Sequence, residues 1–237
     1  MCVVAHPDDE CFAFGGALAL AADRGVEMYV VCMTDGQAAS NRGDAETNEA
    51  LGAMRREEFR RSCKVLGVTQ CELLDYHDGR LEFVEFSVAA GQMVERMRRF
   101  QPDVVITFGG DGGQNTHSDH MMASMLTTAA FHWAGQAKRY PETGSPHQAK
   151  RLYYVTANFH MPDRPPALTM PWTVTLDIRS VRERKSEAFR QHVSQAPLME
   201  KTKDIFERYG AEEFYALVAT TEPQPAHQST DLFEGLG

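Results

Sequence analysis

The sequence predicts an α/β protein: one mostly parallel sheet with helices on both faces, forming a single domain over residues 1–237. Three observations carry this. Strand-like and helix-like segments alternate through the first 135 residues, the pattern of successive βα units. The runs CVVA, EMYVVCM and DVVITF are largely apolar without alternation, as expected of strands buried on both faces. A chain of 237 residues with 43% hydrophobic and 24% charged residues also has the composition of a soluble globular protein with a substantial core.

Each element follows from local chemistry. Residues 2–5 are the first strand, and 11–24 the helix after it, stopped by Gly25. Residues 27–33 form the second strand, followed by the polar loop TDGQAASNRGDAETN. A helix over 48–66 is set by Leu51, Met54, Phe59, Cys63 and Leu66, which recur near helical period, with Gly67 as its stop. Residues 70–75 are the third strand, His77-Asp78-Gly79 a turn, and 86–99 a helix. Pro102 precedes the fourth strand at 103–108. The glycine-rich loop GGDGGQNTHSDH follows, of the kind that carries function, and leads into a helix over 119–134. Residues 135–150 read as a polar surface excursion. Strands at 151–157 and 172–177 are separated by the Pro-rich PDRPPALTMP. Helices at 178–193 and 198–209 come next, then EEFYALVA as a last short strand, and 222–237 as a loosely docked tail.

Composition also excludes partners. Lys+Arg 24 against Asp+Glu 33 gives a net charge of -9, which opposes a phosphate backbone, so nucleic acid is not an expected partner. No apolar run approaches the roughly 18 residues that span a bilayer, so no membrane partner is expected. The stretch 11–22 follows acidic residues where a secretory signal carries basic ones. Cys2, Cys11, Cys32, Cys63 and Cys71 are odd in number and lack CxxC spacing, which predicts buried thiols in a reducing, cytoplasmic compartment.

Two segments concentrate histidine and carboxylate: HPDDE at 6–10 and HSDH at 117–120. With strand order 3-2-1-4-5, strands one and four flank the reversal of the sheet, and the loops leaving them share the crevice where ligands bind. Histidine and carboxylate suit Zn²⁺, whose catalytic sites hold three protein ligands and one open position. His6 and Asp9, three apart across a tight turn, can face one point. The third ligand would be His117 or His120, which share a face at a helix start. Asp8 and Asp9 leave the turn in different directions, so one can bind metal while the other acts on the attacking water as general base. Each half alone has a plainer reading, with an Asp capping the first helix and Ser118 or Asp119 capping the later one.

Further matches run along the chain: a T-x-G turn at Thr34-Asp35-Gly36, R-x-E-E with LGV between Arg55 and Val68, and DGRL at 78–81. Lys185, Ala188, HVSQ at 192–195 and the pair Glu213-Phe214 complete them. With AHPDDE and HSDH about 110 residues apart, the sequence resembles the PIG-L/LmbE-like N-acetylglucosaminyl deacetylases. The resemblance implies a Rossmann-like fold, Zn²⁺ as cofactor, and hydrolytic removal of an N-acetyl group from a small N-acetylated sugar or sugar conjugate. It implies zinc ligation by His6, Asp9 and His120, and Asp8 as general base. His117, held by Asp119, would stabilise the oxyanion and help protonate the departing amine. Arg55 resembles a position that holds substrate or orders the site, against a surface salt bridge with Glu58 or Asp44. Asp78 is placed to hold a sugar hydroxyl, although a DG turn needs no such role. His192 and Gln195 receive no role. Asn115 stands where some members carry tyrosine.

Two other classes compete. A metal-dependent phosphoesterase would show more carboxylates and a second metal, whereas one three-ligand set is visible. A non-catalytic sugar- or nucleotide-binding module would carry G-x-G-x-x-G after the first strand, where HPDDE stands. Self-association into a homo-oligomer is left open by the sequence.

Overall fold

The computed structural model of the chain describes residues 1–113, 115–159, 169–222 and 227–236. Most of the Pro-rich connection and part of the C-terminal tail lie outside these residues. Seven strands form a mostly parallel sheet, with helices between them in the chain. The chain divides into two compact units.

The first unit comprises Cys2–Arg80 and Leu176–Glu213. Its strands β1 (Cys2–Val4), β2 (Tyr29–Thr34) and β3 (Gln70–Tyr76) run parallel in the order β3-β2-β1. Every residue of β1 and β2 is buried, which is why their sequences do not alternate. On β3 most residues are exposed or half-buried, and Cys71 is exposed, unlike the other four cysteines.

The helix expected over 11–24 is two helices, α1 (Asp9–Phe12) and α2 (Gly15–Asp23). The break has a cause in the Gly15-Gly16 pair. A Cβ on Gly16 would lie 2.6 Å from Glu213 Oε1, and that carboxylate accepts from Gly16 N (2.6 Å) and Ala17 N (2.9 Å), satisfying the first donors of α2. Helix α3 (Asn48–Leu66) matches its sequence expectation residue for residue. Thr47 caps it by accepting from Ala50 N, and Gly67 ends it at φ 82°.

The second unit comprises Met1, Leu81–Thr175 and Phe214–Gly237. Helix α4 (Phe86–Phe100) precedes β4 (Val104–Phe108), and α5 (Ser118–Ala134) precedes β5 (Arg151–Thr156), which pairs parallel with β4. The Met1 ammonium donates to Val104 O at 2.7 Å, and Met1 O accepts from Ile106 N at 2.9 Å.

Two strands and two helices complete the chain. Strand β6 (Val174–Asp177) begins in the second unit, and β7 (Glu212–Thr220) pairs antiparallel with β5. Of the tail, Ser229 bridges to Val174, and Leu232 is buried with its carbonyl accepting from Tyr153 Oη at 3.2 Å. In the first unit the helix expected over 178–193 is shorter, α6 (Arg182–Arg190), and α7 is Ala196–Tyr209.

Candidate active site

In the first unit the chain leaves β1 and turns at once. Asp9 Oδ2 folds back to accept from His6 N (2.8 Å) and Ala5 N (3.2 Å), so a carboxylate closes the turn that Pro7 begins. Asp8 sits at the start of α1 with φ 108°, a backbone state that costs a non-glycine residue on the order of 1–3 kcal/mol. Its main chain is held from both sides: Asp8 N donates to Glu10 Oε2 at 2.9 Å, and Asp8 O accepts from Phe12 N at 2.8 Å.

Arg55, from α3, is 3% exposed, which rules out the surface salt bridge considered above. Its Nη2 donates to Asp8 Oδ2 at 3.1 Å and to Pro7 O, and its Nη1 to Gly36 O at 3.0 Å. Gly36 has to be glycine, because its φ is 65° and a Cβ would overlap the guanidinium. Glu58, the alternative partner, instead accepts from Ser194 N and Ser194 Oγ. Burial pushes the Asp8 carboxyl up to about 6, with the Arg55 charge opposing that rise.

The position of Asp78 clarifies its part. Its Oδ1 lies 3.1 Å from His6 Nε2, and its Oδ2 accepts from Ala38 N at 3.1 Å. Burial would raise this carboxyl, but the hydrogen bond from His6 and the Arg55 charge hold it below its ordinary value. With Nε2–H donated to Asp78, the His6 lone pair is on Nδ1, 3.6 Å from Asp9 Oδ2. A carboxylate behind a histidine in this way is the usual support for a metal-binding imidazole.

The second unit presents the other motif at the start of α5. His117 is its N-cap: Nδ1 accepts from Asp119 N at 3.1 Å, which places the neutral ring's proton on Nε2. Asp119 therefore holds His117 through its backbone amide, while its fully buried carboxylate accepts from Leu81 N at 3.1 Å. His120 has the opposite tautomer, because Nδ1 lies 3.0 Å from Gly112 O and donates to it, leaving the lone pair on Nε2. Phe108 stacks on the His120 ring at 4.1 Å and 17°. Asn115 accepts from His117 N through Oδ1 at 2.9 Å.

Sequence reasoning offers Glu10 only as charge at a helix start or as support for the metal-binding residues, and leaves His192 and Ser62 without a function. All three are buried, and Glu10 Oε1 accepts from Ser62 Oγ (2.5 Å) and His192 Nε2 (2.7 Å). Burial alone would raise Glu10, but the His192 charge and the hydrogen bonds from His192, Ser62 and Asp8 N hold it below its ordinary value. The HVSQ segment was the available signal, since it carries both His192 and Ser194.

Among the described residues no helix is long and apolar enough to cross a membrane. Comparison with known proteins adds the following. A mycothiol S-conjugate amidase of Streptomyces coelicolor is 31% identical over 231 residues, spanning 84% of this chain and 77% of the relative. A 1D-myo-inositol 2-acetamido-2-deoxy-alpha-D-glucopyranoside deacetylase of Rhodococcus jostii is 27% identical over 285 residues, spanning 99% and 97%. The fold is that of an N,N'-diacetylchitobiose deacetylase of Pyrococcus horikoshii, with TM-score 0.76 and 24% identity over 92% of this chain and 82% of that one. The family model for PIG-L, described as GlcNAc-PI de-N-acetylase, matches residues 1–131, more than half of the chain. The chain belongs to the PIG-L family and is a hydrolytic N-deacetylase.

Proposed function

We propose that the chain, acting as one catalytic domain, is a zinc-dependent hydrolase that removes the N-acetyl group from an amino sugar conjugate in the cytoplasm. The observation that carries this is the pattern of tautomers: His6 and His120 each donate one ring N–H to a protein acceptor and keep a lone pair on the other nitrogen. With Asp9 they supply two imidazoles and a carboxylate, a donor set that suits zinc. His117 differs from them, since its Nδ1 is an acceptor within the helix cap and its Nε2 carries a proton. When bound, zinc would supply Lewis acidity, polarising the amide carbonyl and acidifying a water.

The protein's own groups supply the rest. Arg55 engages Asp8 Oδ2 and so holds in place the carboxylate that accepts the proton of the attacking water. As the water oxygen bonds to the carbonyl carbon, the carbonyl oxygen gains negative charge, and His117 Nε2–H donates to it. The C–N bond then breaks, the amine nitrogen takes up a proton, and acetate and a free amine leave. That proton is the one Asp8 accepted from the water, while neutral His117 keeps its Nε2–H as a hydrogen-bond donor, because giving it up would leave an imidazolate. Asp78 orders His6 and Arg55 orders Asp8, so both support the site directly.

The substrate reading, an N-acetylglucosamine conjugate with a small-molecule aglycone, takes its support from the Rhodococcus jostii relative, named as a deacetylase of a 2-acetamido-2-deoxyglucopyranoside of myo-inositol. The test is amine release from a panel of N-acetylated sugars, inositol conjugates and nucleosides, with metal analysis of the same preparation. Asp8→Asn should retain bound zinc and lose 10²–10⁴-fold in kcat. Near-full activity in that variant would exclude Asp8 as the base.

A further inference from the structure

The least explained feature of the site is the backbone of Asp8. Its φ of 108° is set by the orientation of the Pro7–Asp8 peptide plane, and that plane is gripped at both ends. Arg55 donates to Pro7 O, and Glu10 Oε2 accepts from Asp8 N. Arg55 also holds the carboxylate itself, so one grip is part of the site already described. The other leads away from it. Glu10 has no backbone reason to stay in place on a four-residue helix, and its second oxygen is fixed by Ser62 of α3 and by His192, 182 residues further along the chain. Glu10 is 0% exposed, so no water competes for these bonds. His192 spends its Nε2–H on Glu10, while its Nδ1 is buried without a hydrogen-bond partner. The imidazole is therefore retained for a single contact, at the expense of an unsatisfied buried nitrogen, which is an unusual way to build a purely structural core.

We infer that His192 and Ser62, acting through Glu10, are positioning residues for Asp8: they fix the peptide that aims its carboxylate at the attacking water. The inference rests on Asp8 being the general base. It assigns the C-terminal HVSQ segment a part in the chemistry without contact with substrate.

The test uses the isosteric logic of amide side chains. A Gln side chain brings its amide nitrogen close to where histidine carries Nε2, whereas Asn reaches only the place of Nδ1. His192→Asn should therefore lower kcat by about 10–100-fold, with KM and bound metal unchanged, and His192→Gln should recover most of the loss. Rates are measured with the N-acetylglucosamine derivative that the wild-type chain deacetylates fastest. In an Asp8→Asn background, His192→Asn should have no further effect, because its influence passes through the missing base. Equal losses in the Asn and Gln variants, a change confined to KM or metal content, or additive losses in the double variant would each overturn the inference. If His192→Asn does not fold, Ser62→Ala removes the other donor to Glu10 and should lower kcat several-fold, and an unchanged kcat there would equally overturn it. Failure of the base assignment is separately visible, as an active Asp8→Asn enzyme.

Discussion

The site is organised residue by residue around fixed protons. His6, His117 and His120 are each locked in one tautomer by a protein partner: Asp78, distant in sequence, for His6, and the nearby Asp119 amide and Gly112 carbonyl for the other two. His192 follows another rule. Burial pushes its pKa down, yet the Glu10 charge and hydrogen bond outweigh burial, so the net shift is upward from 6.5. A histidine whose folded pKa is raised contributes stability that is complete below its unfolded value and is lost as pH rises through the folded value. The free energy of urea unfolding, wild type minus His192→Gln, should therefore be largest at and below about pH 6.5 and shrink at alkaline pH. A difference that grows on going alkaline would contradict a protonated His192.

At the scale of elements, the candidate site residues lie at strand ends and helix starts, and neighbouring helices hold those segments. The segment between β4 and α5 turns through Gly112 (φ 73°) and Gly113 (φ 68°) so that the Gly112 carbonyl meets His120. A Cβ on Gly112 would lie 3.2 Å from both His117 N and His117 O, while Gly110 has nothing within 4 Å. Gly112→Ala should destabilise the protein by about 1–2 kcal/mol and reduce metal retention together with activity. Gly110→Ala, in the same loop, should change stability by less than about 0.5 kcal/mol. Chemical unfolding and metal titration of the pair distinguish a backbone requirement from general loop sensitivity.

At the scale of the whole molecule, the first unit is closed by chain segments far apart in sequence. Glu213, at the end of that unit, caps α2 through Gly16 and Ala17 and pairs with Lys185 Nζ at 2.6 Å, with both side chains buried. Removing the acid would leave a buried ammonium and two open helix donors, so Glu213→Ala should cost about 3–5 kcal/mol. Glu213→Gln keeps an acceptor and should cost less. Thermal unfolding of the two variants measures the difference, and equal losses would show that the charge rather than the cap matters.

The sequence by itself determined the class of fold, the order of strands and helices, and the residues of both motifs. Apolar runs, glycine stops and capping residues are local signals, and HPDDE and HSDH are dense enough in chemistry to be found without coordinates. Helix α3 was legible because its apolar residues recur near helical period and Gly67 marks its end, while the Thr47 cap at its start emerges from the structure. The split of α1 from α2 was not, because Glu213, which stabilises the second start, lies 197 residues away from Gly16. For the same reason the sequence left Arg55 between a place in the site and a surface salt bridge with Glu58 or Asp44, whereas tertiary structure buries it against Asp8, and it left Asp78 between holding a sugar hydroxyl and a plain turn, whereas folding sets it against His6. Glu10 is the plainest case. Its neighbours in sequence explain its charge, but its function depends on Ser62 and His192, which only folding brings to the same carboxylate.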